Sequence, residues 1–178
     1  MVRAFTAVEI SDRDLLEELS RVRDRLDLGF SPVEAGKMHM TLEFFSDIDQ
    51  EELEKVKESM DQVSIGGFNG EVRGVGCFPN RDYIRVVWAG VESEKIYDLE
   101  RKVSDNGVVS DNDHDFHPHV TLMRVKNISQ KQKNKLQRSL REFEDHYIGE
   151  IEIKRLKLFK SEFKGGESVY TELHSSRI

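Results

Sequence analysis

A chain of 178 residues has the length of one ordinary domain. Its 37% hydrophobic and 34% charged content describes a globular protein with a heavily solvated exterior, without an apolar run near the roughly 20 residues of a membrane helix. A net charge of −7 disfavours wrapping a long stretch of nucleic acid but leaves room for a pocket that grips one or two phosphates, and a single cysteine, Cys77, excludes an internal disulfide.

Residues 1–10 read as a first strand; they turn acidic too early for a secretory signal. Residues 12–28 place Leu15, Leu16, Leu19, Val22 and Leu26 at helical intervals, with Gly29 as the stop. A connection over 30–37 feeds an apolar run, 38–45, of strand length. Asp49, a good N-cap residue, opens a helix to Gln62. Residues 68–78 form a strand whose glycines at 70, 74 and 76 suggest bends or close backbone approach. After a turn at 79–82 comes a strongly hydrophobic strand, 83–91, and then a helix over 92–105. Residues 108–118 are an irregular polar connection, read equally as a binding mouth or a solvated loop. A strand over 120–125 and a basic helix from Ser129 follow. Residues 148–160 and 167–173 read as two strands joined at Gly165-Gly166, a hairpin signal.

Two copies of one phrase organise this series: His39-Met40-Thr41-Leu42 and His119-Val120-Thr121-Leu122, 80 positions apart. Alternate residues of a strand share a face, so each copy sets an imidazole beside a hydroxyl on a surface anchored by its apolar reverse. One copy alone reads as a structural histidine. The surroundings also repeat, however. Ile48-Asp49 and Ile128-Ser129 lie at matching offsets, and the segments reaching Phe78 and Phe159 each lead through a turn to a strand with a tyrosine, Tyr83 and Tyr170. The expectation is two similar half-structures that bring their histidines together.

Two imidazoles that titrate near neutrality suit a displacement in which one side of an atom loses a proton as the other gains one, as in in-line attack at a phosphodiester. Threonine hydroxyls would hold the non-bridging oxygens. The chemistry demands neither metal nor cofactor, and the nucleophile is read as water.

The paired motifs resemble those of the 2H phosphoesterase superfamily. The rest of the chain is similar to its 2′-5′ RNA ligase-like branch, the RNA 2′,3′-cyclic phosphodiesterases. The likeness extends through Arg3-Ala4-Phe5-Thr6-Ala7-Val8, Phe78-Pro79, Arg85 to Val91, Phe116-His117-Pro118-His119, Arg124, Leu158 to Ser161 and Tyr170 to Leu173. The resemblance implies a single bilobal α+β domain over 1–178, with two pseudo-symmetric lobes, each an antiparallel sheet with flanking helices, and a cleft between. It implies an enzyme that opens RNA 2′,3′-cyclic phosphate ends, or small cyclic nucleotides, to 2′-phosphomonoesters, with 2′-5′ ligation as an accompanying activity; the composition and the acidic start lead to the expectation of a cytoplasmic protein without a membrane partner, and a monomer is expected. By motif, His39 would protonate the departing 3′ oxygen, His119 would activate water, and Thr41 and Thr121, with Arg124, would bind the phosphate.

Two positions depart from that pattern. In a regular strand Glu43 shares the parity of His39 and Thr41 and would face the cleft, where a carboxylate repels phosphate or raises the pKa of His39. Arg124 has the wrong parity and reaches the phosphate only through a bulge or an early strand end. Arg85 reads as a snorkelling surface residue, with substrate contact as the alternative. Competing readings are a metal-dependent phosphoesterase built on His114, His117 and His119, and a non-catalytic RNA-end or nucleotide-binding module.

Overall fold

The computed structural model describes residues 1–111 and 115–178. In chain order the elements are β1 (Val2–Glu9), α1 (Arg13–Leu26), β2 (Ser31–Pro32), a 3-10 turn (Ala35–Lys37), β3 (His39–Ile48), α2 (Gln50–Gln62), β4 (Phe68–Asn80) and β5 (Tyr83–Glu92). Then follow α3 (Glu94–Ser104), β6 (His119–Arg124), α4 (Gln130–Glu142), β7 (Tyr147–Ile153), β8 (Arg155–Lys164) and β9 (Glu167–Arg177). Both predicted caps form: Asp49 and Ser129 each make a full capping box, with Glu52 and Gln132 respectively. No helix among the described residues is long and apolar enough to cross a membrane.

The strands lie in the order β7-β4-β5-β6-β3-β1-β8-β9, all neighbours antiparallel, with β2 on β6. The two expected sheets are therefore present as four strands each, β7-β4-β5-β6 and β3-β1-β8-β9. One residue pair, Met40 with Val120, joins them. The motif strands part after that single bridge because other segments take up their inner edges. Ser31 and Pro32 pair with Arg124 and Met123, and Val33 N–H donates to the Leu122 carbonyl at 2.8 Å. On β3, Asp111 N–H donates to the Phe44 carbonyl at 2.8 Å.

The sequence repeat and the lobes do not coincide. β4, which follows the first motif strand, joins the lobe of the second; β8, which follows the second, pairs with β1 in the lobe of the first. The expected half-structures are thus interleaved. Residues 148–160, expected as one strand, divide at Lys154, because β7 belongs to one lobe and β8 to the other. The alternation carries a trace of this: Ile151 and Ile153 are buried, then Leu156 and Leu158, a change of phase at 154–155. The β8–β9 turn is Gly165-Gly166 with φ of 60° and 91°, the positive values of a type I′ hairpin.

Helices α1 and α4 pack together, α1 against β6 and β7; α2 and α3 pack together, against β9 and β3 respectively. The reverse faces of the motif strands, Met40, Leu42, Val120 and Leu122, point into this core and are at most 1% exposed. Burying each such side chain contributes about 1.5–3 kcal/mol, which fixes the register of the opposite face.

At Gly76 the close approach foreseen from the glycine pattern is real. Its cross-strand partner is Trp88, and a Cβ at 76 would collide with the benzo ring of that indole. Gly76→Ala is expected to cost about 1–3 kcal/mol by overpacking and to displace Trp88. A lowered Tm together with altered tryptophan fluorescence would show this, and an unchanged Tm would refute it.

Candidate active site

Each motif strand carries an irregularity at the same place, and β3 has a second nearer its end, between its partners Ala4 and Val2. Thr6 and Ala7 of β1 pair with Glu43 and Thr41, so Leu42 is the extra residue of a bulge. Val87 and Trp88 of β5 pair with Met123 and Thr121, so Leu122 is the extra residue of the matching one. A bulge reverses the parity of the residues beyond it. Glu43 is consequently turned away from the cleft into the core, 1% exposed, which corrects the expectation that it faces the phosphate. Arg124 is turned back to the face of His119 and Thr121, the condition on which its reach depended.

Between the lobes the register sets the site. Met40 opposite Val120 in antiparallel pairing turns His39 toward the Thr121 side of the bridge and His119 toward the Thr41 side. The two histidines then flank the bridge on one face, near enough for the charge of His119 to act on His39. All four side chains are half-buried on the face opposite the apolar anchors. Thr41, His119, Phe78, Arg85, Asp111 and Phe116 line a cleft of about 720 Å³.

Each imidazole is fixed by the main chain two residues before it. His39 Nδ1 lies 2.7 Å from the Lys37 carbonyl, and His119 Nδ1 lies 2.7 Å from the His117 carbonyl. A carbonyl only accepts, so Nδ1 carries the hydrogen in both rings and Nε2 is the atom left to exchange a proton. Aromatic rings hold the orientation. His39 stacks on Phe5 at 4.8 Å with the Tyr170 ring edge-on at 5.5 Å, and His119 meets Phe78 edge-on at 5.0 Å. These supporting rings were not singled out from the sequence as site residues. Phe5, Phe78 and Tyr170 sit on strands remote in the chain; the repeat marked Phe78 and Tyr170, and Phe5 stood only among the segments that resemble the family.

Burial pushes the pKa of both histidines below the ordinary imidazole value, and the Arg124 charge pushes each the same way. The smaller influences differ in detail: the charge of His119 also lowers His39, against a lesser opposing effect of the Glu9 carboxylate, and the neighbouring His117 ring lowers His119. Glu43 accepts a hydrogen bond from Asn106 Nδ2 at 2.9 Å, and its carboxyl is raised to about 7, chiefly by burial. Arg85 lies exposed at the cleft rim with Nη1 donating to the Lys126 carbonyl at 2.9 Å. His114 of the metal reading lies outside the described residues. His117 is exposed and packs edge-on against Trp88 at 4.5 Å. Among the described residues no group of three or more histidine, cysteine, aspartate or glutamate side chains is placed to hold a metal ion.

A bilobal antiparallel fold with two His-x-Thr pairs related across one bridge defines the class of 2H phosphoesterases. Residues 5–178 match the model of the AKAP7 2′5′ RNA ligase-like domain, and the chain belongs to that family. It is 32% identical to the RNA 2′,3′-cyclic phosphodiesterase of Methanothermobacter thermautotrophicus over 99% of both chains. It is 30% identical to the enzyme of the same name from Aquifex aeolicus, over 96% of this chain and 94% of that one. Among solved structures, the crystal structure of TT0787 of Thermus thermophilus superposes with a TM-score of 0.82 at 25% identity, covering 98% of this chain and 97% of that one. E. coli LigT complexed with NADP+ shares the fold, with a TM-score of 0.76 at 20% identity over 99% and 98% of the two chains.

Proposed function

We propose that the protein hydrolyses RNA 2′,3′-cyclic phosphate ends to 2′-phosphomonoesters by acid/base catalysis between His39 and His119. The observation that carries this is the pair of imidazoles on one cleft face, each with Nδ1 held by a main-chain carbonyl and Nε2 left for proton transfer. Water attacks phosphorus and yields its proton to Nε2 of His119. The P–O3′ bond breaks on the opposite side, and the 3′ oxygen takes the proton from Nε2 of His39. The Thr41 and Thr121 hydroxyls donate to the non-bridging oxygens, and the Arg124 guanidinium balances their charge. With an RNA 5′-hydroxyl in place of water, the same steps form a 2′-5′ linkage.

The unit that acts is read as all of 1–178, one bilobal domain. The exchange of β4 and β8 and a continuous core across the seam support that reading. A monomeric cytoplasmic enzyme is the accompanying expectation.

Incubation with the four nucleoside 2′,3′-cyclic phosphates in the presence of a chelator tests the proposal. The expected product is the 2′-monophosphate. Release of the 3′-monophosphate, or no turnover of any of the four or of an RNA bearing the same end, would overturn it. Thr41→Val and Thr121→Val should each lower kcat roughly 10²-fold, as loss of one oxyanion donor does. Since kcat/KM follows the free enzyme, its bell-shaped pH profile should lie on the acid side of that of ordinary imidazoles.

A further inference from the structure

A second, larger hollow opens beside the cleft and shares His117 with it. It measures about 1080 Å³ and is bordered by the rings of Trp88, His117 and Tyr97, with Arg73, Arg81 and Arg101 farther out. The rings run without a gap from the candidate catalytic histidine: Phe78 lies 5.0 Å from His119, Trp88 lies 5.2 Å from Phe78, and His117 lies 4.5 Å from Trp88. Tyr97 meets Phe116 of the cleft wall edge-on at 5.8 Å, which joins the far wall of the hollow to the same surface.

Its charges do not form a phosphate grip. The three arginines face Glu92, Glu94, Asp98 and Glu144 around the same space, and Arg81 and Arg101 are already paired with Glu144 and Asp98. What the hollow offers is aromatic surface. His117 adds an exposed ring to it, whose pKa is pushed down by partial desolvation, and its main-chain carbonyl is the atom that holds His119.

The other lobe also carries rings, Phe5, Phe159 and Tyr170, but they are packed on one another and on His39, and among the described residues they border no hollow of this size. The position matching His117 is Lys37, whose ammonium bridges Glu34 at 3.2 Å and Glu167 of the β8–β9 hairpin at 3.4 Å. RNA leaving the cleft beside His39 meets the Lys37 ion pairs and rings already packed on that histidine; RNA leaving beside His119 meets rings that border an open hollow.

We infer that this hollow is a nucleobase subsite for the nucleotide immediately 5′ of the one bearing the cyclic phosphate, stacked against His117 and Trp88 with Tyr97 opposite. The inference rests on the phosphodiesterase reading for the placement of the terminal nucleotide. Single-stranded RNA is recognised in this way, by splayed bases stacked on aromatic side chains, and one stacked base is worth roughly 10- to 100-fold in affinity.

Trp88 is the sole tryptophan, so binding is read without turnover. The protein is titrated with a dinucleotide ending in a 2′-phosphate and with the matching nucleoside 2′-monophosphate, following tryptophan fluorescence, alongside kcat/KM for the two corresponding cyclic phosphates. The dinucleotide should bind and react roughly 10- to 100-fold better. Tyr97→Ala, which removes a ring that lines the hollow and not the cleft, and Tyr97→Phe, which keeps the ring and its contact with Phe116, separate the two: the first should cut that advantage several-fold, the second should keep it, and both should leave the mononucleotide constants unchanged. Equal affinities for the two ligands in the wild type, or a Tyr97→Ala loss shared by both, would overturn the subsite. Tighter dinucleotide binding without turnover of either cyclic phosphate would sustain the subsite and sink the phosphodiesterase reading instead.

Discussion

His119→Ala should lower kcat/KM for nucleoside 2′,3′-cyclic phosphates roughly 10²- to 10⁴-fold, and His39→Ala by a similar factor, the worth of one positioned proton transfer. The two losses should not add, because the imidazoles serve opposite sides of a single displacement, so the double variant should fall little below the poorer single one. Each substitution should also erase one limb of the pH profile. Without His119 the decline toward acid disappears, since no base remains to be protonated; without His39 the decline toward alkali disappears. Both rings are packed by aromatic neighbours, so His→Gln variants, which fill more of the space, serve as controls for folding. Near-wild-type activity in either folded variant would disprove the mechanism.

The second large effect concerns stability. Glu43 occupies the position that Met123 occupies in the other copy, five residues into a bulged strand and facing the core. Burial raises its carboxyl to about 7 from an ordinary value of 4.5. Between those values the folded chain holds a proton that the unfolded chain has released, so stability falls as pH rises through that window and the loss is complete above it. At about 1.4 kcal/mol per pH unit the loss is on the order of 3 kcal/mol. Glu43→Gln keeps an acceptor for Asn106 but cannot ionise. Urea unfolding at pH 5, 6, 7 and 8 should show a flatter stability curve for the variant, with a gain over wild type that appears only toward the alkaline end. Parallel curves would mean that the carboxyl does not titrate as its surroundings dictate. Glu43→Met, which copies the other repeat, should behave in the same way.

Much of this was legible in the chain. Period-two burial around His39 and His119 placed the functional face, and the acidic and hydroxyl caps at Asp49 and Ser129 placed the helices after the motif strands, because both signals are local. The orientation of Glu43 was not legible. A one-residue bulge at Leu42 leaves no mark in composition, yet it exchanges the faces of everything after it. The exchange of β4 and β8 was hidden for a related reason: strand pairing is long-range, and a repeat in sequence does not say which copy its third strand will join. The phase change near Lys154 was the one local sign of the crossing. The rings around the histidines come from β1, β4, β5 and β9 and converge only when the sheet forms.

Fixing the imidazoles through peptide carbonyls rather than through partner carboxylates has a consequence for how such a site diverges. Positions 37 and 117 supply an acceptor whatever side chain they bear, so substitution there leaves the tautomer of the neighbouring ring intact. The chain carries lysine at one and histidine at the other. Mutation can therefore remodel the approaches to the cleft at both points while the proton-transfer geometry is inherited unchanged.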